Sequence, residues 1–131
     1  MTRHQPFRPL FLWGPVIAYM GLIFYISSLH EAPLPQGMSD KSAHWLGYTG
    51  FGVTIVRALA RGLPRRISMR TAIGAVVIAV VYGASDEFHQ TFVTGRSAEL
   101  ADLAADALGA TAGAAACWAW GIISTRSRHE L

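Results

Sequence analysis

Charge and cysteine are both scarce in this chain. Only 15% of its 131 residues are charged while 52% are hydrophobic, which fits one domain in length but is too apolar for an ordinary small soluble one. The single cysteine, Cys117, excludes an internal disulfide. Asp40, His44, Asp86, Glu87 and His89 could supply a divalent-metal shell, but there is no HExxH and no paired-cysteine spacing, so no metal is assigned, and no GxSxG surrounds a serine. No cofactor is indicated by any motif.

What is present comes in long apolar blocks. Leu10 to Leu29 (LFLWGPVIAYMGLIFYISSL) is twenty residues without a charge. At about 1.5 Å per residue it covers the roughly 30 Å of a bilayer core. It is too long for the h-region of a signal peptide, and HEAPLPQG after it offers no good cleavage site, so the segment is expected to stay in the protein. Further candidates lie at 43–59, 71–88 and 100–123. Two of them are weaker by hydropathy: one carries Gly47, Gly50 and Gly52, the other ten alanines between Ala101 and Ala119. Small residues suit close helix packing in lipid, and Gly109 to Gly113 forms a GxxxG. The expected fold is all-α, an integral membrane bundle of four transmembrane helices forming a single domain over residues 1–131.

The basic residues orient it. Arg3 and Arg8 precede the first span, Arg57, Arg61, Arg65, Arg66 and Arg70 surround the second connection, and Arg126 and Arg128 follow the fourth span. If four spans alternate, nine of the eleven Lys and Arg residues share one side, which by the positive-inside rule is the cytoplasm, with both termini inside. The net charge of +3 is thereby a topology signal and calls for no nucleic acid. Seven of the eight acids fall toward the other side, where Trp45, Phe88 and Phe92 are expected at the interface; Trp13, Trp118 and Trp120 are expected at the inner one. His4 and His30 read as interface residues.

Three polar clusters then arrive at the outer face. DKSAHWLGY places Asp40, His44 and Tyr48 on one helix stripe with Lys41 beside them. SDEFHQTF, following the uncharged TAIGAVVIAVVYGAS, brings Asp86, Glu87, His89 and Gln90 to a helix end. RSAELADLAADALG puts Glu99, Asp102 and Asp106 on a third stripe. Ser39 and Ser97 read as N-caps, and Asp40, Glu99 and Asp102 as first-turn acids that complement the positive helix end. Asp86 and Glu87 differ, because a helix C-terminus already presents negative charge; Lys41 and Arg96 are the expected compensating cations. Asp106 lies roughly 13 Å into its segment counted from Ser97, too deep for a cap, where an ionisable group suggests function. Six acids against Lys41 and Arg96 leave four uncompensated negatives if all are ionised. Such density calls for protons, a metal or a cationic ligand.

DKxxH, DExxQ, an arginine in a GRS turn and a DxxxD where DxxxN is usual, spread over Asp40 to Gly113, resemble the VanZ-like family of small bacterial membrane proteins. The matching positions are Asp40, Lys41, His44, Tyr48, Asp86, Glu87, Gln90, Gly95, Arg96, Ser97 and Asp102; at 106 this chain has Asp where the family usually has Asn. The resemblance implies the bacterial cytoplasmic membrane and an effect on susceptibility to teicoplanin and related lipoglycopeptides. Three functions fit. The first is a protein that binds or modifies an amphiphile, an envelope lipid precursor or a lipoglycopeptide, at the outer leaflet. In it Asp86 or Glu87 with His44 would supply acid and base, and Asp40, Lys41, Tyr48, Gln90, Arg96, Asp102 and Asp106 would bind. The others are a non-catalytic small subunit among other membrane subunits, and an oligomeric transporter.

Overall fold

The computed structural model describes residues 8–31 and 33–130; Arg3 and His4 lie outside them. Four helices follow one another: α1 (Arg8–Ser27), α2 (Asp40–Leu59), α3 (Met69–Gln90) and α4 (Leu100–His129), and there is no strand among the described residues. They agree with the expected segments to within a few residues, except that α4 runs on to His129. No proline or glycine interrupts Ile122 to His129, and Arg126, Arg128 and His129 in the last turn complement the negative helix end.

The helix starts separate the expected caps. Ser39 does cap α2, its Oγ accepting the Ser42 N–H at 3.1 Å, and Ser68 caps α3 in the same way through Thr71. Ser97 does not cap α4. Glu99 occupies the N-cap position there and makes no side-chain cap bond, because the turn after Gly95 carries the chain two residues further before the helix begins.

Three helices, α1, α3 and α4, are long and apolar enough to cross a membrane. Their outward side chains are mostly apolar away from the helix ends: Phe11, Ile17, Phe24, Ile73, Val81, Leu108 and Ile123 are all exposed on the isolated chain. A soluble bundle would place polar residues there. The fourth, α2, is less apolar for a structural reason. It packs against each of the other three helices and buries Tyr48, Phe51, Ile55 and Val56, so less of its surface faces outward. Phe51, fully buried, anchors this core, stacking on Tyr19 and meeting Tyr48 and Tyr82 edge to face.

Backbone approach holds α2 to α4. A Cβ at Gly109 would run into the carbonyl oxygen of Trp45, and one at Gly113 into that of Thr49. These helices therefore run side by side in the same direction, with the starts of both at one end of the molecule. In lipid, where apolar side chains gain nothing by leaving water, such close contact is what stabilises a helix pair.

Proline shapes α1. Pro15 has no N–H to donate to Phe11, four residues earlier, and that carbonyl instead accepts from the Arg57 guanidinium at 3.0 Å. Arg57 also lies over the Phe11 ring. At the other end of α1, Arg96 donates to the carbonyl of Leu29 (3.0 Å), beyond the helix end, and to that of Ile26 (3.3 Å), which also accepts the Leu29 N–H.

Candidate functional site

The ends of α1 and α3 and the starts of α2 and α4 meet, and the expected polar residues meet with them. Lys41 is committed to α4: its Nζ lies 2.5 Å from both Glu99 Oε2 and Asp102 Oδ1. This corrects the expected pairing of Lys41 with Asp86 and Glu87. The first turns of α2 and α4 lie side by side, so a lysine in one reaches the acids of the other. The hydrogen bond to Asp102, then that to Glu99, holds the ammonium well above the ordinary lysine range, so it stays charged.

Glu87 finds a backbone partner. Its Oε2 accepts the N–H of Glu99 at 3.0 Å, so an acid at the negative end of α3 sits against the positive start of α4. The compensation expected from a cation thus comes from a helix terminus. Its other oxygen, Oε1, is buried without a hydrogen-bond partner among the described residues.

His44 joins the deeper acids. Its Nδ1 shares a hydrogen bond of 2.6 Å with Oδ1 of Asp106, which is only 1% exposed, and its Nε2 lies 3.8 Å from Asp102 and 3.9 Å from Asp40. Gly83 makes room for Asp106: a Cβ there would stand 2.9 Å from Oδ2. Two groups of three donors result, Asp40 with His44 and Asp102, and His44 with Glu87 and Asp106, each within 4.8 Å of one another.

Beside this seam, between α1, α2 and α3, is a cavity of about 180 Å³. Ile23, Ile26, Leu34 and Ala43 make its apolar wall, and Asp40, His44, Tyr48, Asp86, Gln90 and Arg96 its polar one. Of the ten sequence-derived site residues, these six line the cavity; Lys41, Glu87, Asp102 and Asp106 stand in the seam. Ser27 stands against Asp86 in the lining, and Tyr48 Oη is buried with no hydrogen-bond partner among the described residues. Arg96, the other expected compensator, lines the cavity with Asp86 but forms no ion pair with it among the described residues, where the nearest basic group is His89 Nδ1 at 3.9 Å. Ser27 was missed by sequence reasoning. The one signal for it is the pair of hydroxyls, Ser27 and Ser28, that closes a largely apolar run.

Neither the curated proteins nor the solved structures contain a match to this chain. The motifs carried by α2, α3 and α4 form one connected site, and the VanZ/LLP1 family model matches residues 12–123, nearly the whole bundle: the chain belongs to the VanZ/LLP1 family.

Proposed function

We propose that this chain is a single-domain protein of the bacterial cytoplasmic membrane, crossing it four times with both termini inside, and that its cavity binds the polar head of an envelope amphiphile at the outer face. The observation that carries this is the cavity wall, apolar on one side and lined on the other by Asp40, His44, Tyr48, Asp86, Gln90 and Arg96. A ligand head group that supplies donors and acceptors pairs with these carboxylates, the amide and the imidazole. The volume of about 180 Å³ is below the roughly 300–1,000 Å³ of pockets for drug-sized molecules, so it suits a head group whose tail lies outside along the apolar helices.

The lining also selects the chemistry. Asp40 and Asp86 face the cavity, Lys41 is taken by Glu99 and Asp102, and Arg96 already donates to α1 carbonyls. An amine- or hydroxyl-bearing head group fits these walls better than a bare phosphate. The lipoglycopeptide effect implied by the family resemblance is the phenotype to read.

A second reading, a non-catalytic subunit held rigid by its polar network, is favoured by the bonds of Lys41 and Glu87, which tie α2 and α3 to the start of α4. Asp86→Asn separates the two. It removes a charge from a helix end that disfavours one, so a binding role predicts normal abundance and unchanged thermal stability in detergent with the teicoplanin phenotype lost. A purely structural role predicts that abundance and stability fall together with the phenotype. Full activity in a well-folded Asp86→Asn protein sinks the head-group proposal.

A further inference from the structure

We propose that His44, Glu87 and Asp106 form a binding site for one divalent transition-metal ion, of the Zn²⁺ class. The donors come from three helices, α2, α3 and α4, and lie within 4.8 Å of one another. His44 Nδ1 and Asp106 Oδ1 are already 2.6 Å apart, so an ion replaces the proton they share and opens that pair to the roughly 3.0–3.4 Å between neighbouring ligands bound at about 2.1 Å, while Glu87 closes toward them. One imidazole and two carboxylates are a donor set that Zn²⁺ accepts readily.

The independent observation is Glu87 Oε1. Glu87 is only 7% exposed, its Oε2 is used by the Glu99 N–H, and Oε1 is buried with no hydrogen-bond partner. A buried carboxylate oxygen without a donor is costly, and a cation held jointly with His44 and Asp106 removes that cost. Tyr48, whose hydroxyl is also buried and unpartnered, packs with Asp106 about Gly83. The neighbouring group of Asp40, His44 and Asp102 is less suited, since Lys41 already supplies a cation to Asp102 and the Asp40 side chain is 43% exposed. The site stands whether or not the cavity takes a head group.

The test uses the full chain in detergent, free of any affinity tag, stripped with a chelator and titrated with Zn²⁺ against a chromophoric competitor. One Zn²⁺ per chain is expected to survive dialysis and to raise the melting temperature. Glu87→Gln and Asp106→Asn are expected to weaken binding roughly tenfold or more, while Glu31→Gln, an exposed loop acid, leaves it unchanged. Absence of a retained ion overturns the proposal. So does unchanged affinity in folded Glu87→Gln, or a loss confined to Asp40→Asn. Should the variants fail to fold, Co²⁺ bound to the unaltered chain decides: visible ligand-field bands of nitrogen and oxygen ligation support the site, and their absence rejects it.

Discussion

At the scale of single residues, the meeting of His44 with Asp106 depends on Gly83 having no side chain. A methyl group there would stand 2.9 Å from Oδ2 of the fully buried Asp106, tighter than carbon and oxygen allow, and 3.3 Å from Leu103 Cδ1. Asp106 is short and cannot swing aside without losing its bond to His44. Gly83→Ala should therefore destabilise the protein by about 1–3 kcal/mol, the usual cost of overpacking, despite the better helix propensity of alanine. Thermal unfolding in detergent measures it; a neutral or stabilised Gly83→Ala protein would show that Asp106 is not held where the structure places it. The stripes carrying these residues were legible in the sequence, because spacing by four fixes which side chains share a helix face. Their partners were not. Lys41 chose Glu99 and Asp102, and Glu87 a backbone N–H, because partner choice depends on which helices are neighbours, and periodicity within one helix says nothing about that.

At the scale of an element, α1 shows a break repaired from outside. Pro15 deprives the Phe11 carbonyl of its helical donor, and Arg57, at the end of α2, supplies another. The positive-inside pattern accounts for an arginine near position 57 but not for its aim, which needs α1 and α2 to be antiparallel neighbours. Arg57→Met should leave the carbonyl unsatisfied and cost about 1–2 kcal/mol. A second substitution isolates the cause. Pro15→Ala restores the N–H, so the Arg57→Met penalty should shrink when both changes are combined, as a double-mutant cycle would measure. Were the penalty to come from the stacking on Phe11 or from contact with lipid, Pro15→Ala would not reduce it.

At the scale of the whole molecule, the polar end and the arginine-rich end are opposite ends of one bundle, and that separation is what the proposed membrane orientation rests on. Arg57, Arg61, Arg65 and Arg66 lie at or just beyond the end of α2, and Arg126 and Arg128 in the last turn of α4, while the acids gather where α2 and α4 begin. The separation of charges to two ends was legible because it needs only the order of the helices and the count of charges between them; the cytoplasmic side of the arginine-rich end belongs to the proposal. Cysteine accessibility in intact cells tests it, with Cys117 replaced by serine as background. Arg66→Cys should react with an impermeant reagent only after the cytoplasm is opened, and Ala98→Cys should react from outside. Gly95 would be the wrong probe, since its φ of +81° and the His30 ring beside it leave no room for a side chain. The reverse labelling pattern would turn the polar site toward the cytoplasm, and with it remove any envelope amphiphile of the outer leaflet from consideration as its ligand.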